Sequence, residues 1–217
     1  MDNHEFERLL KEGSPQLSSD TRAKISSFRQ LVIAENEVQN LTRLLSPVDF
    51  YEGHVLDAIE LTKSGLVSYP AMDLGSGVGV PGMICALLAP GEWILCDSEV
   101  KKADFLMRAA TDLGLYGSAV DVFAGRAEDY LKKNTVSSIV ARAVGPVTRI
   151  YNWIRPCSTW NNLVLLKGPS WPQELSDFKE SQRRSELSIE KTYEYTVGSL
   201  QKSRIIVRII RGKITTV

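Results

Sequence analysis

The first third of the chain places apolar residues at helical spacing and contains no strand pattern. Residues 3–12 and 18–39 read as helices. In the second, Ala23, Ile25, Phe28, Leu31, Val32 and Ala34 recur at roughly the helical period, behind Ser18, Ser19 and Asp20 as capping candidates. A polar stretch at 36–47, NEVQNLTRLLSP, leads into a third helix expected from about Val48 to Lys63. From residue 69 onward the period changes. Short apolar runs at 70–74, 92–97, 118–124, 136–142 and 162–167 predict strands. The intervening segments 81–89, 99–113, 126–133 and 146–155 predict helices, the second stopped by Gly114. Such alternation with short connections predicts a parallel sheet covered on both faces. Beyond Gly168 a helix at about 172–183 precedes two β-rich runs, 187–197 and 203–211, joined at Gly198-Ser199, which predicts an antiparallel hairpin on one sheet edge. The expected organisation is a helical N-terminal extension, 1–66, packed with an α/β domain, 67–217, as one compact unit.

Between the first strand and its helix lies DLGSGVGVPG, residues 73–82, with four glycines in eight positions and Pro81 where the helix would begin. Glycines there allow positive φ and let the backbone lie against a ligand. Gly77, Gly79 and Gly82 fit the dinucleotide fingerprint G-x-G-x-x-G, and Asp97 follows at the distance of a ribose carboxylate. Two features point elsewhere. Asp73, at the strand's carboxyl end, would repel a diphosphate and attract a sulfonium. Pro81 removes an N–H donor that a pyrophosphate at a helix N-terminus would use. An acidic residue followed by G-x-G-x-G resembles the first motif of S-adenosylmethionine-dependent methyltransferases, with a nicotinamide-dependent oxidoreductase as the alternative.

Composition narrows the setting more than the chemistry. At 217 residues, 43% hydrophobic and 24% charged, the chain is an ordinary soluble domain in size and balance. No run approaches the roughly eighteen apolar residues of a membrane helix, and MDNHEFERLL is too polar for a signal peptide, so a cytoplasmic protein without a membrane partner is expected. Cys85, Cys96 and Cys157 form no C-x-x-C pair, and with two histidines in the chain no metal site is expected. The formal net charge is zero, so any RNA would be held by a local patch rather than by a global basic field.

Ligands of open α/β sheets bind at the carboxyl ends of the strands, which directs attention to Asp73, Asp97, 124–128, Arg142 and Lys167. Asp97 with Ser98 would accept ribose hydroxyls or cap the next helix. The turn Gly125-Arg126-Ala127-Glu128 would contact an adenine through its backbone, or form an Arg–Glu surface pair. Arg142, in VARAVGP, and Lys167-Gly168, in LLKGP, are cations at strand ends, where burial is unusual. His54 and Asp57 share one helix face; a hydrogen-bonded histidine supporting the pocket fits better there than a metal ligand. At the fourth strand end there is neither the N/D-P-P-Y/F sequence of amino-group methyltransferases nor the Pro-Cys nucleophile of cytosine C5 chemistry.

Taken in order, NLT (40–42), H-x-x-D (His54, Asp57), DLGSGVGVPG (73–82), DS with KK and FL (97–106), GRAE (125–128), ARA (141–143) and LKG (166–168) resemble the bacterial 16S ribosomal RNA guanine-N7 methyltransferases, also called glucose-inhibited division protein B. The resemblance runs from about residue 28 to 211. It implies a Rossmann-like fold with a mostly parallel seven-stranded sheet and a C-terminal antiparallel hairpin. It also implies S-adenosylmethionine as cofactor, and as partner 16S ribosomal RNA, in its 530-loop region, or the small ribosomal subunit. A monomer is expected. Cofactor binding would involve Asp73, Gly75, Ser76, Gly77, Val80, Pro81, Asp97, Ser98, Ala127, Glu128 and Arg142, while His54, Arg142 and Lys167 would lie near the target guanine. Three positions depart from the family pattern: Glu35 and Glu37 stand where a Trp and a Lys usually precede N-L-T, and Gly53 where an Arg commonly precedes the His. These departures remove positive charge and an aromatic ring from the RNA-facing side. A methyltransferase of the same fold acting on a small molecule is the alternative they favour.

Overall fold

The computed structural model of the chain describes residues 2–181 and 187–211. Seven strands form one sheet: β1 (Ala71–Leu74), β2 (Trp93–Asp97), β3 (Val120–Ala124), β4 (Val136–Arg142), β5 (Trp160–Lys167), β6 (Leu187–Val197) and β7 (Lys202–Arg211), in the order β3-β2-β1-β4-β5-β7-β6. The first five are parallel, and β7 runs antiparallel to both β5 and β6. This is the mostly parallel sheet with a terminal hairpin that the apolar runs predict. The chain winds outward from β1 through β2 to β3, then returns to β4 on the other side. The crevice outside the ends of β1 and β4 is therefore the topological switch point.

Strand alternation assigns the two faces. Ala71, Leu95, Val140 and Val164 point into one apolar layer with Phe28, Ile59, Met83 and Phe105, and Met72, Ile94, Ile139 and Leu163 point into the other with Leu131, Ile150, Ile154 and Phe178. The first layer contains α1 (Asp2–Gly13), α2 (Ser19–Asn36), α4 (Leu56–Ser64), α5 (Gly82–Leu88) and α6 (Val100–Asp112). The second contains α7 (Ala127–Leu131), α8 (Val147–Ile154) and α9 (Trp171–Ser181). Phe6 and Leu10 of α1 are completely buried in the same core as the sheet residues. At about 1.5–3 kcal/mol for each large side chain buried, such contacts make the N-terminal helices a layer of the domain.

Local signals set the helix ends. The Ser18 hydroxyl accepts from Thr21 N–H at 3.0 Å to start α2, and Gly65, at φ 62°, ends α4. The helix expected over 48–63 is divided. A four-residue α3 (Pro47–Phe50), capped by Ser46, passes into a π-helical turn over Tyr51–Val55 before α4. Such turns widen the backbone ladder and are frequent at functional sites; this one carries Gly53 and His54. Pro81 is the cap residue just before α5 rather than its first helical residue.

Candidate active site at the carboxyl edge of the sheet

The glycine loop after β1 is held from below and from the side. Asp73 is 1% exposed, and its Oδ2 accepts from the Gly82 N–H at 2.9 Å. Alternation along β1 turns the Asp73 side chain toward α5, under the loop. Burial pushes its pKa up to about 6 against the pull of the Gly82 hydrogen bond and the Arg142 charge. Gly82 has no room for a side chain, because a Cβ would lie 2.5 Å from Leu95 Cδ2 and 2.9 Å from Asp73 Oδ2. The Ser76 hydroxyl donates to the Asp73 carbonyl at 2.7 Å. From the side, Asp97 bridges two elements: Oδ2 accepts from Gly77 N–H at 2.8 Å and Oδ1 from Glu99 N–H at 2.9 Å. Each carboxylate oxygen keeps acceptor capacity beyond those bonds.

Two clefts flank the turn that follows β4. One, of about 210 Å³, is lined by Gly75, Asp97, Ser98, Ala127, Glu128, Val144 and Trp153, among others. Gly75, at φ 69°, is exposed at its floor, where a Cβ would meet Val144 Cγ2 at 2.9 Å. Cys96 also reaches this cleft. Burial, and then the Asp97 charge, push its thiol up to about 12, so it is no nucleophile at neutral pH. The other cleft, of about 400 Å³, is lined by Gly53, Asp57, Arg142, Ala143, Lys167 and Arg204, among others. Val144 thus faces one cleft while its neighbours Ala143 and Gly145 face the other, so the turn is the ridge between them. Ala143 holds φ 58°, a left-handed conformation that costs an alanine roughly 1–2 kcal/mol.

Arg142 is fixed from three directions. It donates to Asp57 Oδ2 at 2.9 Å, to His54 Nδ1 at 2.7 Å and to the Gly53 carbonyl. Since the guanidinium can only donate, His54 Nδ1 accepts from it in the tautomer protonated at Nε2, which turns Nε2–H to the Thr42 hydroxyl at 3.3 Å; the Gly53 carbonyl, 3.0 Å from Nδ1, is the partner of the other tautomer. Burial and the adjacent Arg142 charge lower the His54 pKa to about 3, so the ring is neutral at physiological pH. Asp57 is buried in turn, and its Oδ1 accepts from the Tyr195 hydroxyl at 2.8 Å. Burial, the Asp57 charge and this hydrogen bond keep that phenol well above its ordinary pKa, so it remains a donor. Lys167 donates to the Gly145 carbonyl at 2.9 Å and to Glu174 Oε1 at 2.7 Å; the same oxygen accepts from Val147 N–H at 2.7 Å.

The structure thus gathers Gly75, Asp97, Ser98, Ala127 and Glu128 around one cleft, and Arg142 and Lys167 around the other. Asp73, Ser76, Val80 and Pro81 are buried beneath the loop, and Gly77 is tied to Asp97 beside it. His54, 2% exposed, stands behind Arg142. Arg126 and Glu128 form the surface pair, at 3.7 Å. Among the departures, Glu35 is paired with Arg108 at 2.6 Å and with Gln39, so its charge is neutralised, whereas Glu37 is exposed. At Gly53 a Cβ would lie 2.6 Å from Leu44 Cδ1. Tyr195, Glu174 and Arg204 are the residues that sequence reasoning missed. The strand-end rule could have found none of them: Tyr195 and Arg204 belong to the antiparallel hairpin and Glu174 to α9.

A family model described as rRNA small subunit methyltransferase G matches residues 21–206. The ribosomal RNA small subunit methyltransferase G of Nitrosomonas europaea is 32% identical over 215 residues, covering 93% of this chain and 96% of that protein. The enzyme of the same name from Solibacter usitatus is 34% identical over 176 residues, 79% and 83% of the two chains. Among solved structures, M. capricolum TrmK in complex with S-adenosyl-homocysteine has a TM-score of 0.53 at 13% identity, over 72% of this chain and 68% of that one, a likeness of fold.

Proposed function

The chain belongs to the rRNA small subunit methyltransferase G family, and from that premise we propose that it transfers a methyl group from S-adenosylmethionine to N7 of a guanine in 16S ribosomal RNA, in the 530-loop region implied by the family resemblance. The observation that carries the reading is the pair of clefts meeting at the turn 142–145, one suited to an adenosyl group and the other lined by three cations, Arg142, Lys167 and Arg204.

The residues of the smaller cleft fit the cofactor. Gly75 offers bare backbone where a Cβ would strike Val144, and the spare acceptor capacity of Asp97 suits ribose hydroxyls. The backbone of Ala127 and Glu128 lies where an adenine edge would be met. When bound, S-adenosylmethionine supplies a methyl group on a positively charged sulfur. Asp73, Ser76, Val80 and Pro81 shape the loop from beneath. On this reading Asp73 acts by holding Gly82, with its charge adding a negative field at longer range.

Guanine N7 has an in-plane lone pair and needs no deprotonation, so the site requires no general base. The neutral, buried His54 accords with that: its role is to accept from Arg142 and aim it. Arg142 spends three of its five N–H groups on Gly53, Asp57 and His54, which leaves two for a substrate acceptor. Guanine O6 beside N7 is such an acceptor. Lys167 presents a second cation at the same cleft, its Nζ braced by Gly145 and Glu174. Catalysis then comes mainly from positioning.

The test supplies tritiated S-adenosylmethionine with ribosomal RNA from cells lacking the gene, both naked and as small subunits, and maps 7-methylguanine by borohydride reduction and aniline cleavage. One labelled guanine in the 16S RNA is expected. Incorporation at another atom refutes the N7 assignment. No incorporation in either form, with cofactor binding intact, refutes the RNA substrate in favour of a small molecule.

A further inference from the structure

We propose that the indole of Trp153 forms one wall of the smaller cleft and packs against the purine ring of the adenosyl group, an inference that rests on the S-adenosylmethionine reading above. Of the four tryptophans, Trp93, Trp160 and Trp171 are at most 4% exposed, whereas Trp153 is 38% exposed. The buried face of α8 is made by Val147, Ile150, Tyr151 and Ile154. Trp153 lies off that face and lines the cleft together with Asp97, Ala127 and Val144. An indole left half open at a cleft mouth is an apolar surface waiting for a flat partner. The cleft's polar groups, Asp97 and the 125–128 backbone, suit a ribose and a ring edge. A purine presents a π face that matches the indole.

The experiment measures S-adenosyl-homocysteine binding by calorimetry, alongside intrinsic tryptophan fluorescence, for the natural protein, W153F and W153A, with circular dichroism to verify folding. Because the other three indoles are buried, binding is expected to change the emission of the natural protein and to leave that of W153F nearly unchanged. W153F should retain most of the affinity, since phenylalanine also stacks. W153A should bind roughly ten- to hundredfold more weakly, the usual effect of deleting an aromatic partner from a base. If folded W153A binds as tightly as the natural protein, or if the fluorescence response persists in W153F, the Trp153 assignment is overturned while the cofactor reading stands. If the natural protein binds no S-adenosyl-homocysteine, the cofactor reading itself is overturned, and this inference with it.

Discussion

Replacing Asp73 by asparagine separates its charge from its hydrogen bond. The carboxyl is 1% exposed and titrates at about 6 in the folded chain, against an unfolded value near 4. That gap of about two pH units corresponds to about 3 kcal/mol of preference for the protonated form in the native state. The folded pKa lies above the unfolded one, so the stability it confers is fully present below about pH 4 and is lost as pH rises through about 6. Between pH 5 and pH 8 the loss amounts to about 1.4 kcal/mol. The substituted amide carries no charge but keeps a carbonyl oxygen for the Gly82 N–H, so D73N escapes the loss. Urea unfolding of both proteins across this range is the assay. With an m-value of about 2 kcal/mol/M, the midpoint of D73N should rise relative to the natural chain by about 0.7 M from pH 5 to pH 8. Taking the difference between two proteins cancels every other titrating group they share. A midpoint difference that stays constant with pH, or shrinks toward pH 8, would refute the argument that burial dominates at Asp73.

Three further outcomes follow from contacts around the clefts. G75A should weaken S-adenosyl-homocysteine binding, since its Cβ would meet Val144 Cγ2 at 2.9 Å; G75A/V144A should recover part of the loss by calorimetry, the remainder being strain at φ 69°. Y195F leaves the buried Asp57 Oδ1 without its hydroxyl donor and should lower stability by about 1–3 kcal/mol in urea titrations, reducing turnover on RNA while cofactor affinity holds. E35A breaks a partly exposed pair with Arg108 and should cost less than about 1 kcal/mol, a result that urea unfolding at low and high salt would check.

The sheet was legible in the sequence because its strands are short apolar runs bounded by glycine, proline or charge. The run 136–142, for example, is reproduced residue for residue by β4. The glycine loop and the strand-end cations were legible for a related reason: the chemistry sits where regular elements stop. What escaped depends on partners distant in the chain. Asp57 and Tyr195 are 138 residues apart, and nothing local marks them as a pair. The π-helical turn at 51–55 leaves the apolar spacing close to that of an unbroken helix, so periodicity cannot reveal it. The direction of the Asp73 side chain was accessible in principle. Ala71 and Asp73 share a strand face, and that face is the one α5 covers.

The two clefts differ in how they draw on the chain. The smaller takes its walls from a single stretch, residues 74 to 153. The larger is assembled from residues 44–57, the ridge at 142–145, and residues 166–204. The two clefts are therefore separable along the chain, although both rest on the one seven-stranded sheet. On the proposed reading, substitutions in residues 44–57 and the hairpin would alter the acceptor side and leave the walls of the cofactor cleft in place. Gly53 lies on that side, so on this reading a change of target would need no new methyl-transfer machinery.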